Sequence, residues 1–180
     1  MRIIGVDPGT LVTGYGVIDC ENGAMTLVDY GVIRMKAAMT LPIRLRTIHN
    51  GLLEIIERTA PDEFAIESAF YSKNVQSTLK LGHARGVAML AAVLRDIPTS
   101  EYSPREVKMA VTGNGGSTKE QVEYMVVSML SLKEQREPLD ATDALALAIC
   151  HAGRLNKPRG RAASWKQFIL EHPDRISVTH

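Results

Sequence analysis

With 180 residues, 45% of them hydrophobic and 23% charged, the chain has the length and balance of one globular domain with a buried core. A net charge of +1 excludes a grossly basic or acidic character, and no apolar run approaches the ~20 residues that span a bilayer. The two cysteines, Cys20 and Cys150, form no Cys-x-x-Cys spacing, which fits reduced thiols in a cytoplasmic protein, and residues 1–6 are too short for a signal peptide.

In chain order, Arg2–Asp7 reads as an apolar strand meeting an Asp-Pro-Gly-Thr turn. Residues 13–19 and 25–34 read as two more strands, joined by the hairpin signal Asn22-Gly23. Residues 41–58 show helical spacing through Leu45, Ile48, Leu52, Ile55 and Ile56, and Pro61-Asp62 ends it. Glu63–Glu67 is a short buried strand, 75–95 a long helix, and Thr99–Tyr102 a fifth strand. Ser103-Pro104-Arg105-Glu106 and Ser117-Thr118-Lys119-Glu120 both carry helix-start chemistry, with Ser103 and Ser117 as the expected caps. The glycine-rich stretch 113–116 between them is expected to be a mobile loop, and Leu139–Leu155 to be the last helix. This order predicts an α/β protein with helices on both faces of a sheet whose later strands pair in parallel. Residues 1–155 form the expected domain, and 156–180 a polar basic tail expected to be poorly ordered.

Four carboxylates stand out. Asp7 and Glu67 both sit where an apolar strand stops, so neighbouring parallel strands would release them at the same sheet edge. Asp140 and Asp143 are spaced i, i+3 and share a helix face, among alanines small enough for close approach to a sheet. Singly, each has a plain structural explanation as a turn opener, a strand end or a first-turn helix acid. Gathered, they would repel one another strongly unless a hard cation lay between them. All candidate ligands are oxygens and no His-x-x-x-His spacing occurs, so magnesium or manganese fits better than zinc. Such a cluster can hold two metals ~3.5–4 Å apart for phosphoryl transfer. Lys108 and Lys119 lie on helices where they could assist, Lys119 in a first turn that also favours phosphate. Residues 113–119 do not form a P-loop, because the order is Ser117-Thr118-Lys119 and a helix precedes it. Gly14-Tyr15-Gly16 lacks the third glycine of a dinucleotide fingerprint. Positive charge is segregated: residues 68–95 hold Lys73, Lys80, Arg85 and Arg95 without a single acid, as do the basic residues between Arg154 and Lys166.

The stretches Ile4-Gly5-Val6-Asp7-Pro8-Gly9-Thr10, Thr13-Gly14-Tyr15-Gly16, Phe64-Ala65-Ile66-Glu67, Ala84-Arg85-Gly86, Val107-Lys108 and Asp140-Ala141-Thr142-Asp143-Ala144 occur in the order of one known family. Over residues 1 to about 155 the chain resembles the RuvC family of Holliday-junction endonucleases. That resemblance implies an RNase H-like fold with a mixed five-stranded sheet. It also implies a homodimer that nicks four-way junction DNA symmetrically, in recombination and DNA repair, beside a branch-migration helicase complex. It makes Asp7, Glu67, Asp140 and Asp143 ligands for Mg2+ (or Mn2+), two ions during catalysis, and places Lys108 and Lys119 at the family's catalytic basic positions. Phe70, with Tyr71, Lys73, Asn74, Lys80 and Arg85, becomes a candidate DNA contact. The family's dimer contact would fall on the helix after Glu67, whose glycines and alanines suit either an isologous interface or core packing. The rivals are another RNase H-fold nuclease, an actin-like ATPase (for which the chain is too short) and a junction-binding protein without activity.

Overall fold

Strand β1 (Arg2–Asp7) is the middle of a five-stranded sheet, and everything that positions the candidate ligands is arranged around it. The protein is described by a computed structural model over residues 1–68, 75–132 and 139–155. The elements follow as β2 (Val12–Glu21), β3 (Ala24–Arg34), α1 (Leu41–Thr59), β4 (Glu63–Glu67), α2 (Val75–Val93), β5 (Thr99–Tyr102), α3 (Pro104–Thr112), α4 (Lys119–Met129) and α5 (Leu139–Leu155). The sheet order is β3-β2-β1-β4-β5, with β1–β2 and β2–β3 antiparallel and β1–β4 and β4–β5 parallel. The sheet is therefore mixed, as expected for the RNase H-like fold.

The hairpin forms at Asn22-Gly23, where both residues take positive φ (50° and 86°), the backbone that a two-residue turn matched to strand twist requires. Side chains alternate across β1 and β4 with the two-residue period of a strand. Ile4, Val6, Phe64 and Ile66 are buried against α1 and α2, while Ile3 and Ala65 are buried with Tyr102, Val107, Val126 and Leu145 on the face that carries α3, α4 and α5. Asp7 shares the parity of Ile3, and Glu67 that of Ala65. Both carboxylates thus rise on the α5 face of the sheet.

Helix α5 lies unusually deep in this layer. A Cβ placed on Gly5 would meet the Ala144 carbonyl oxygen at 2.0 Å, one on Gly14 the Asp140 carbonyl oxygen at 1.9 Å, and one on Gly16 the Leu145 side chain at 2.6 Å. Gly5 pairs with Gly16 and Asp7 with Gly14 across β1 and β2. Three neighbouring strand positions without side chains therefore form the bed on which the first two turns of α5 rest. The alanines of α5 supply the other half of the close approach.

Strands β2 and β3 and helix α1 run one or two residues beyond the sequence expectation at their ends, and two helix boundaries differ for a specific reason. The capping box of α4 is Thr118 with Gln121, not Ser117 with Glu120; Ser117 is buried, and its hydroxyl bonds that of Thr112 at 2.7 Å. A serine occupied in this way is unavailable as a cap, so the next hydroxyl takes the position. Helix α2 stops at Val93 rather than at residue 95, because Asp96 adopts φ 56°. The turn at 113–116 is internally bonded: Asn114 Oδ1 accepts from the Gly116 amide at 2.9 Å, and Thr112 Oγ1 donates to the Asn114 carbonyl at 3.0 Å.

Candidate active site

Asp7 ends β1, and the turn that follows is clasped by one threonine. The buried Thr13 hydroxyl donates to the Gly9 carbonyl at 2.9 Å and accepts from the Gly9 amide at 3.3 Å. The chain thereby reverses tightly enough for Gly14 to sit opposite Asp7. Glu67 ends β4 one strand away, where Val6 pairs with Ile66 in parallel. Asp140 and Asp143 are delivered from above by the first turn of α5, and α3 and α4 bring Lys108 and Lys119 to the opposite wall.

Asp7, Glu67, Asp143, Lys108 and Lys119 line one cleft of 340 Å3, floored by Val107, Val122 and Leu147. Asp140 stands at its margin, half-buried in the first turn of α5. Burial pushes the Asp7 carboxyl up to about 7, and the charges of Glu67, Asp143 and Asp140 add to the rise while Lys119 opposes it. Burial likewise raises the Glu67 carboxyl above its ordinary range, with Asp143 contributing. Lys119 Nζ pairs with Asp143 Oδ2 at 2.6 Å, and that bond raises the ammonium's pKa.

The donor set fits a divalent hard cation. It is all oxygen, it gathers negative charge that burial makes costly, and its one ion-paired member is matched by a lysine ammonium. Among the described residues, no three carboxylate or imidazole groups are drawn together as a preformed metal cage.

A family model described as crossover junction endodeoxyribonuclease RuvC matches residues 3–151. The chain belongs to the RuvC family. A crossover junction endodeoxyribonuclease RuvC of Salinibacter ruber is 45% identical over 178 residues, covering 98% of this chain and 99% of its own. A RuvC of Dehalococcoides mccartyi is 49% identical over 151 residues, covering 84% of this chain and 90% of its own. Among solved structures, T. thermophilus RuvC in complex with a Holliday junction substrate superposes with a TM-score of 0.81 at 33% identity, over 86% of this chain and 94% of that one. The fowlpox virus Holliday junction resolvase shares the fold at 15% identity and a TM-score of 0.55.

Of the further candidate DNA contacts, Lys80 is exposed on α2. Arg85 is turned inward, its Nε hydrogen-bonded to the Glu67 main-chain carbonyl and its guanidinium ion-paired with Glu101. Phe70, Tyr71, Lys73 and Asn74 lie outside the described residues, as does the tail 156–180. The face of α2 divides cleanly: Ala84, Ala88, Ala91 and Ala92 are buried in the chain's own core, whereas Val75, Leu79, Leu90 and Val93 are exposed, with open space beside Gly82 and Gly86. Sequence reasoning missed the glycine bed beneath α5 and the Thr13 clasp. Glycines at every other strand position were the available signal for close backbone approach.

Proposed function

We propose that this chain resolves four-way DNA junctions as a structure-specific endonuclease, with Asp7, Glu67, Asp140 and Asp143 as its metal ligands. The observation that carries the reading is the single cleft in which strand-end carboxylates face two lysines, in a chain of the RuvC family. Mg2+, with Mn2+ able to replace it and two ions during catalysis, would activate water and offset charge on the leaving oxygen when held by these four acids. Every carboxylate must be ionised for that, so Asp7 has to lose the proton its surroundings favour.

Lys119, released from Asp143, and Lys108 place positive charge against the phosphate as water attacks phosphorus in line. The new P–O bond forms as the bond to the 3′ oxygen breaks, leaving a 5′ phosphate and a 3′ hydroxyl. The paired symmetric nicks are assigned to a homodimer, for which the exposed apolar side chains of α2 offer a surface. Residues 1–155 are taken as the nuclease domain, acting in the cytoplasm with a branch-migration helicase complex as partner. No described helix is long and apolar enough to cross a membrane. Phe70 and Tyr71 are assigned to base contact, and Lys73, Asn74 and Lys80 to the DNA backbone.

The test is cleavage of a four-way junction against matched duplex, flap and RNA–DNA hybrid substrates, with and without Mg2+. Preferential, Mg2+-dependent nicking of the junction is expected. Equal or greater cleavage of the hybrid would point to a different nuclease of the same fold.

A further inference from the structure

Arg85 carries positive charge on α2, yet its side chain is only 17% exposed. Its Nε donates to the main-chain carbonyl of Glu67 at 3.0 Å, and an outer guanidinium nitrogen pairs with the Glu101 carboxylate. Glu101 lies on β5 directly opposite Ile66 of β4. One planar fork thus ties a helix to the last residue of β4 and to the neighbouring strand.

Glu67 is paired on one side only. It lies opposite Tyr102 of β5, but the pairing of β4 with β1 ends at Ile66, one position short of it. Its carboxylate shares the cleft with Asp7 and Asp143, and like charges push a long side chain outward unless its backbone origin is fixed. Arg85 reaches the backbone rather than the carboxylate, so it can fix that origin without competing for the cation.

We propose that Arg85 is a positioning residue, fixing the Glu67 backbone so that the carboxylate is held ready for the metal, rather than a DNA contact. This rests on the assignment of Glu67 as a ligand. The Glu67 hydrogen bond and the Glu101 ion pair use two nitrogens of one planar guanidinium, which a lysine ammonium does not reproduce.

The experiment compares full-length Arg85→Lys, Arg85→Met and Glu101→Gln with the unaltered chain. Three quantities are measured: Mn2+ binding by calorimetry, the Mg2+ dependence of single-turnover junction cleavage, and junction affinity without divalent ions. Both Arg85 variants should weaken Mn2+ binding and raise the Mg2+ requirement by ~10–100-fold, the usual effect of removing a residue that supports a ligand. Metal-free junction affinity should stay within about two-fold, because it comes from phosphate contacts elsewhere. Glu101→Gln, which leaves the bond to Glu67 but loosens its anchor, should shift the Mg2+ requirement the same way by a smaller factor.

Normal metal binding in the Arg85 variants overturns the proposal. So does a loss of metal-free junction affinity that Lys restores, the signature of a phosphate contact. If both Arg85 variants fail to fold, an unshifted Glu101→Gln overturns it as well. Glu67→Gln separates the two levels. An inactive Glu67→Gln beside normal Arg85 variants removes only the Arg85 role, whereas a fully active one removes the ligand assignment itself.

Discussion

Asp7 is held at a position where its own charge is unwelcome, buried at a strand end and facing three other carboxylates. Its folded pKa of about 7 lies above the ordinary value of 3.8, so the unfolded chain ionises first as pH rises. Stability from this group is present at low pH and is lost as pH climbs toward 7. Asp7→Asn should therefore abolish cleavage, preserve most junction affinity, and raise the melting temperature of the metal-free protein at pH 8. Each kcal/mol relieved would appear as roughly 2–4 °C. Calorimetric melting with and without Mg2+ checks this, and an unchanged or lower melting temperature would contradict the repulsion. Because a cation must displace the same proton, the Mg2+ requirement for cleavage should steepen as pH falls below about 7. Lys119 has a second consequence at this scale. Its ammonium now neutralises Asp143, so Lys119→Met should slow the chemical step while leaving metal affinity equal or tighter. Weaker Mn2+ binding by calorimetry would show instead that the lysine helps to assemble the ligands.

At the scale of elements, the geometry depends on how closely α5 can lie on β1 and β2. Gly14→Ala puts a methyl 1.9 Å from the Asp140 carbonyl oxygen, and backbone on both sides leaves little room to yield. Overpacking of this kind costs about 1–3 kcal/mol or more. It lifts the turn that carries Asp140 and Asp143, so cleavage should fall more than denaturation midpoints alone predict. Ser103→Ala removes a capping box that holds the helix of Lys108, with Ser103 Oγ accepting from the Glu106 amide at 3.2 Å. A loss of ~1 kcal/mol is expected in urea unfolding. Capping chemistry was legible in the sequence because it is local: Ser, Pro and Glu at fixed offsets need no knowledge of the rest of the chain. The exception at α4 is instructive, since Ser117 has every local feature of a cap but is drawn into a bond with Thr112 across the turn.

Across the whole molecule, β4, β5 and α5 are stitched by a largely buried network centred on His151. His151 Nδ1 lies 2.6 Å from the Tyr102 hydroxyl, and Nε2 lies 3.3 Å from Glu63 Oε2. Burial holds the His151 pKa below the ordinary value of 6.5, with the Glu63 charge opposing the drop. The unfolded chain then takes up the proton first, so this contribution is present above about pH 6.5 and declines as pH falls below it. Melting temperature followed from pH 8 to 5 should fall less steeply in His151→Gln than in the unaltered chain. A parallel pair of curves would remove His151 as the source.

The sequence by itself determined the order of elements, the hairpin at Asn22-Gly23, and the placing of Asp7 and Glu67 at strand ends and Asp140 and Asp143 on one helix face. Each depends on signals within a few residues: period, turn chemistry, i, i+3 spacing. Tertiary structure alone decided that Gly5, Gly14 and Gly16 form a bed for α5, that Lys119 pairs with Asp143, and that Arg85 turns inward to Glu67. Those outcomes join residues far apart in the chain, and the same arginine or glycine is locally compatible with several environments. What selects among them is the packing of helices on a sheet, which brings groups together only after the layers have formed.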